Sequence, residues 1–209
     1  MKKLLSLVLA LLLALSFAGC SGSTAMTEKN VTATVDQAFS ALKDFNTKKL
    51  EKYVDSKTLS VIITYANKHD QFADLGKALF KNLEYNIENI DLDAKTVTVS
   101  VRNKDLKDTA SAFTKALVSK YSALQMLGLL NNETWLNTSL KSLTDSIAIA
   151  KMQSAPVSVT LTVTAGKKNL MLGFDDAAEN AVSGGALQAV KSLTSGLTGS
   201  KSTTESTSN

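Results

Sequence analysis

Val31, Val35, Ala38, Phe39, Leu42 and Phe45 recur at three- and four-residue steps, so residues 31–45 predict an amphipathic helix. Asn46-Thr47 breaks that period, and Thr47 is placed to cap a second short helix through Val54, with Leu50, Tyr53 and Val54 inward. Residues 58–66 read both ways, because Val61-Ile62-Ile63 favour a strand while their setting favours a helix. Phe72, Leu75, Leu79 and Leu83 mark a third helix over about 70–82. The period then shortens. Tyr85, Ile87, Ile90 and Leu92 predict a strand with a one-residue slip at Glu88-Asn89, a β-bulge. After the turn Asp93-Ala94-Lys95, Val97, Val99 and Val101 alternate with Thr96, Thr98 and Ser100, completing a hairpin over 84–103.

Helical spacing returns after Asp105, a cap candidate. Leu106, Ala110, Phe113, Leu117, Tyr121, Leu124 and Met126/Leu127 line one face to about Leu130. Asn131-Asn132 interrupts, and Leu136, Leu140, Leu143, Ile147 and Ala150 line a partner helix, predicting an antiparallel helical hairpin with Trp135 near its turn. Beyond Pro156, Val157, Val159, Leu161 and Val163 alternate with Ser and Thr. Ala165–Lys168 turns the chain, and Leu170, Leu172 and Phe174 form the return strand. Asp175-Asp176 opens a last helix, in which Gly184-Gly185 predicts a break or a close packing point. The expected fold class is α+β: helices packed on one face of a curved antiparallel sheet, with a long helical hairpin inserted between two β-hairpins. The Thr/Ser face of the sheet should be wet.

The amino terminus carries a different pattern. Met1-Lys2-Lys3 is basic, Leu4 to Leu15 is nearly all Leu, Val and Ala, and small residues lead to Cys20. This is the layout of a secretory signal, too short in its apolar stretch to be a spanning helix. Phe17-Ala18-Gly19-Cys20 resembles the bacterial lipobox, although that family usually has Leu where Phe17 stands. The resemblance implies cleavage between Gly19 and Cys20 and a diacylglyceryl thioether on Cys20, with two acyl chains anchoring the protein to the cell membrane on its extracytoplasmic face. The expected organisation is a signal peptide at 1–19, a flexible tether at 20–30, one α+β domain at 31–195 and a disordered Ser/Thr-rich tail at 196–209.

Composition mainly excludes. With one cysteine and one histidine among 209 residues, a disulfide scaffold and a Cys- or His-rich metal site are ruled out. The formal charge of +4 falls by two when Lys2 and Lys3 leave with the leader, too near neutral to imply nucleic acid as a partner. No cofactor is expected.

The run Ala38-Phe39-Ser40-Ala41-Leu42-Lys43-Asp44-Phe45-Asn46-Thr47-Lys48-Lys49-Leu50-Glu51-Lys52-Tyr53-Val54 resembles the opening helix pair of cone-shaped nuclear transport factor 2-like domains found in small bacterial lipoproteins. The hairpin at 84–103, Val157–Phe174 and Ala181–Ala186 are similar to the same group. The resemblance spans most of 31–190 and rests on pattern. It implies a pocket enclosed by helices and a curved sheet, and it carries over no catalytic residue. The segment 105–152 is long for such a cone: it is either an insertion that fills or lids the pocket or a sign of a different fold.

Each candidate for chemistry has a plainer structural role. His69 with Asp70 has the elements of a proton shuttle, but adjacent residues orient each other poorly, and Asp70 suits a helix cap. Asp175-Asp176 suits a helix N-terminus, and Asp91 and Asp93 suit a turn. Ser183-Gly184-Gly185-Ala186 lacks the Lys-Ser/Thr and the preceding strand of a phosphate loop. Lys43, Lys48, Lys49, Lys52 and Lys57 are interleaved with acids, which blunts any membrane-directed field. Phe39, Tyr53, Phe72, Phe113, Tyr121 and Trp135 are the candidate pocket lining, with plain core as the alternative. The expectation is a non-catalytic binding module for a small apolar or peptide-like ligand or an envelope protein. A structural or assembly protein, or an enzyme using a pocket carboxylate, are the alternatives.

Overall fold

The computed structural model describes residues 24–189. Strands β2 (Glu84–Asp91) and β3 (Thr96–Arg102) form the first hairpin, and β4 (Val157–Ala165) and β5 (Leu170–Gly173) the second. Alternation places Val97, Val99, Val101, Leu161 and Val163 in the core, with the intervening Ser158, Thr160, Thr162 and Thr164 of β4 exposed. The hairpins join through β3 and β4 in the register Val97↔Leu161 and Val99↔Val159. On the wet face, the Thr98 and Thr160 hydroxyls pair at 3.3 Å. The bulge falls between Ile87 and Asn89, where the hydrophobic period slips.

The sheet is mixed, not antiparallel throughout. A two-residue strand β1 (Val54–Asp55) lies parallel to β5, in the five-strand order β1-β5-β4-β3-β2. Phe174 N–H donates to the Asp55 carbonyl at 2.9 Å, extending that edge. The chain leaving α2 (Thr47–Tyr53) runs alongside β5 in the same direction, which satisfies backbone groups that the edge would otherwise expose.

Helix α1 (Glu28–Lys43) crosses the covered face, touching β2 and β5. Its stripe of Val31, Val35, Ala38, Phe39 and Leu42 is almost fully enclosed. Burial of Phe39 alone contributes about 1.5–3 kcal/mol, and its ring stacks on Tyr85 with centroids 4.4 Å apart. The helix starts at Glu28, inside the expected tether, because the Thr27 side chain accepts from Asn30 N–H. Asn46 caps α2, where Thr47 was expected to do so.

The ambiguous stretch is helix α3 (Lys57–Ala66), capped by Ser56. Tertiary burial of Leu59, Ile63 and Ala66 on one helical face outweighs the β-propensity of Val61-Ile62-Ile63, and Val61 is left exposed. Helix α4 (Asp70–Phe80) has His69, not Asp70, at its cap position. Gly76 in its interior is required by packing, since a Cβ there would lie 2.5 Å from the Phe45 ring.

The inserted segment departs from a simple hairpin. The predicted first helix is two, α5 (Lys107–Lys120) and α6 (Ala123–Leu129). Tyr121 is extended, and Ser122 with Gln125 forms a capping box that restarts the helix. Leu106, not Asp105, occupies the α5 cap position. The second arm is α7 (Glu133–Trp135), a π-helical turn at Leu136–Leu140 and α8 (Lys141–Ile149). This arm packs chiefly on α4 and less on α5. Helix α9 (Asp176–Val182) follows β5, and the glycines after it do break the helix: Gly184 and Gly185 have φ of 61° and 84°. A side chain at Gly184 would strike the Lys104 carbonyl.

Candidate functional site

Helices α1, α3, α4, α5, α8 and α9, with Val54 of β1 and Phe174 just after β5, line a cavity of about 340 Å³. That volume lies at the lower end of small-molecule sites. Its walls are almost wholly apolar: Leu59 and Ile62 from α3, Leu75 and Leu79 from α4, Phe113 from α5 and Ile147 from α8. Each is on the inward stripe of its helix, so the same periodicity that builds the core also builds the cavity wall. Residues of α5 and α8 supply part of its wall. The inserted segment thus forms a wall of the cavity.

One acid sits in this wall. Glu179, on α9, is 8% exposed, and Ser56, at the cap of α3, is 5% exposed. The Ser56 hydroxyl donates a short hydrogen bond to Glu179 Oε1 and accepts from Leu59 N–H at 3.0 Å. Glu179 Oε2 has no hydrogen-bond partner among the described residues. The described lining contains no Lys, Arg or His. A buried carboxylate without a counter-charge is costly, so this one stands out against the apolar packing around it. Two other hydroxyls on the wall are committed locally: Thr114 donates to the Ala110 carbonyl at 2.8 Å, and Ser183 to the Asn180 carbonyl at 3.0 Å.

Of the aromatic candidates, only Phe113 lines this cavity. Phe39 is core against Tyr85, and Tyr53 and Phe72 are half-buried against the main core. Tyr121 is half-buried with the Lys120 ammonium 5.3 Å from its ring centroid, and Trp135 is half-buried on α7. Glu179 and Ser56 were not singled out by sequence. The available signal was a carboxylate between Ala178 and Val182 on the apolar face of a helix, and a Ser directly before an apolar run.

The remaining candidates resolve into structural contacts. His69 pairs with Glu133, not Asp70: Nδ1 lies 2.8 Å from Glu133 Oε1. Gln71 donates to Glu133 Oε2 at 3.0 Å and to Asn137 Oδ1 at 2.7 Å. The hydrogen bonds from His69 and then Gln71 hold the Glu133 carboxyl below its usual range. Asp175 caps α9 by accepting from Ala178 N–H at 2.8 Å, and Asp91 accepts from Ala94 N–H at 2.8 Å in the first hairpin turn. The five lysines near the α1–α3 turns are all exposed. Gly19 and Cys20 lie outside the described residues, as do the leader and the Ser/Thr-rich tail. Among the described residues there is no cluster of three or more His, Cys, Asp or Glu that could hold a metal ion, and no helix is long and apolar enough to cross a membrane.

Comparison of the chain with protein-family models, curated proteins and solved structures finds no match.

Proposed function

We propose that this protein is an extracytoplasmic lipoprotein, held on the cell membrane by acylated Cys20, whose domain is a non-catalytic binding module for a small, largely apolar molecule. The observation that carries the reading is the apolar cavity walled by six helices. The Ala18-Gly19-Cys20 signature after a basic and apolar leader supports the anchor. The nuclear transport factor 2-like cone remains our proposal for the finer fold. It is supported by one sheet face covered with helices, by the β2 bulge and by a pocket among the helices.

An enzyme using a pocket carboxylate is the second reading, favoured by buried Glu179 beside Ser56. It is weaker, because the Ser56 hydroxyl donates to the carboxylate while capping α3, and the described lining offers no cation to stabilise developing negative charge.

Mass spectrometry of the intact protein purified from its host tests the reading. The expected mature chain begins at diacylglyceryl-Cys20 and carries an apolar small molecule. An Ala186→Phe variant, which puts a ring into the cavity wall, should lose that molecule while keeping the lipid. An unmodified Cys20 would overturn the anchor, and equal small-molecule content in both proteins would overturn the cavity as the binding site.

A further inference from the structure

We propose that α6 is a membrane-contact element, resting on the same anionic bilayer surface that holds acylated Cys20. The inference rests on the anchor reading above and adds which side of the domain faces the lipid. Helix α6 reads Ala-Leu-Gln-Met-Leu-Gly-Leu, with Gln125 as its one polar side chain. Gln125 is taken up at the helix's own start, its Oε1 accepting from Ser122 N–H at 2.9 Å. No described side chain of α6 is buried: Leu124 is 80% exposed, and Met126 and Leu129 are half-buried. Gly128, one turn after Leu124 on the same face, fronts open space, since a Cβ there would meet no atom within 4 Å. Among the described residues no other element packs extensively on α6. An apolar helix left this open is the mark of a docking surface. Charge selects the occupant. From Thr109 to Asn132 the chain carries exposed Lys115 and Lys120 and no acid, unlike the lysines of 43–57, which are interleaved with acids. Glu133, the first acid beyond α6, is engaged by His69 and Gln71. The Lys120 ammonium lies 5.3 Å from the ring centroid of Tyr121, which leads into the helix. Tyr and Lys beside an apolar helix are the side chains that settle at the level of lipid head groups. A second copy fits less well, because a two-fold contact across α6 would set the same acid-free, basic segment against itself. The eight residues from Cys20 to Thr27 reach at most roughly 26–29 Å when extended. They keep the domain at high effective concentration beside the bilayer, so contact through a few side chains suffices.

The test uses the full chain purified with its lipid and carrying Leu124→Cys, which supplies the only free thiol once Cys20 is acylated. An environment-sensitive nitrobenzoxadiazole dye on that thiol is followed in phosphatidylcholine vesicles with and without phosphatidylglycerol. Its emission should shift to the blue and be quenched by lipids spin-labelled near the head group, more strongly with phosphatidylglycerol. The same dye on Thr160→Cys, on the wet face of the sheet, should stay water-like. Each lysine near an anionic surface favours docking roughly fivefold. Lys115→Gln combined with Lys120→Gln should therefore abolish the difference between the two vesicle types. An unshifted dye at position 124, in protein that sediments with the vesicles, overturns the proposal and leaves the anchor standing. Protein that stays in the supernatant overturns the anchor, and the proposal with it. An equal response at positions 124 and 160, or in both vesicle types, also overturns it. A shift that scales with the protein-to-lipid ratio assigns α6 to a second copy instead. Position 124 is exposed enough that the substitution should leave the fold intact, which circular dichroism verifies.

Discussion

At the scale of single residues, one phenol is held out of its ordinary chemistry by its surroundings. Tyr85 is half-buried against Phe39 and donates to Asp36 Oδ1 at 2.8 Å. Burial first, then the hydrogen bond and charge of Asp36, raise its phenol well above the usual value near 10. A raised acid favours the protonated form in the fold. Its contribution is therefore complete below pH 10 and is lost as the pH climbs above that value toward the raised one. Tyr85→Phe should cost about 1 kcal/mol near neutrality, the net value of one hydrogen bond. It should also remove part of the alkaline loss of stability, as read from urea unfolding at successive pH values. An identical alkaline slope in both proteins would contradict the assignment. Single-residue roles were unevenly legible in the sequence. Asp175 and Asp91 could be assigned because capping and turn bonds are local. Glu179 could not, since its partner Ser56 is far along the chain and the cavity is a product of packing.

At the scale of elements, hydrophobic period located most helices and strands, while their ends were settled by side chains the period does not mark. The carboxyl ends of three helices meet at Asn103-Lys104. The fully buried Asn103 amide donates to Leu79 O, in the last turn of α4, at 2.9 Å and to Val182 O, at the end of α9, at 2.7 Å. The Lys104 ammonium donates to the Ile147 and Ala148 carbonyls of α8, at 2.9 and 2.6 Å. Helix-end carbonyls lack intrahelical donors, so this corner supplies them from one strand end. The two side chains should differ greatly in weight. Asn103→Leu strands buried carbonyls and should lower the unfolding free energy by about 2–5 kcal/mol. Lys104→Met removes a partly exposed cation at a helix end and should cost about 0.3–1 kcal/mol. Chemical denaturation of both variants checks the ratio, and equal losses would refute the corner's assigned hierarchy. None of this was legible beforehand, because Asn103 reads as the polar residue that ends a strand. The split of α5 from α6 was closer to view: Ser122 and Gln125 stand at capping-box spacing inside a stretch whose apolar period runs on without interruption.

At the scale of the whole molecule, the α+β layering followed from the pattern, but the sheet edge and the cavity did not. Strand β1 is two residues long, too short for any period, and exists only because β5 lies beside it. A stripe of apolar residues says which way a helix faces, not whether six such stripes meet without filling the space between them. The inserted segment contributes to that wall, and it is fastened to the start of α4 by Glu133 and Asn137, which both accept from Gln71, and by the pairing of Glu133 with His69. The fastening has a pH sign. Glu133 is held below its usual value of 4.5, so its contribution is fully present above that value and is lost as the pH falls through the lowered one. Trp135, the protein's only tryptophan, lies on the same helical turn as Glu133 and reports on it. On acidification below pH 4.5, Trp135 emission should change before the far-ultraviolet circular dichroism does, as the arm loosens from α4 ahead of global unfolding. Glu133→Gln, which has no charge to lose, should show no such early step, its two signals moving together. If both proteins give the same early emission change, the fastening lies elsewhere, and the arm that walls the cavity is held by the packing of Leu136, Leu140 and Ile147 alone.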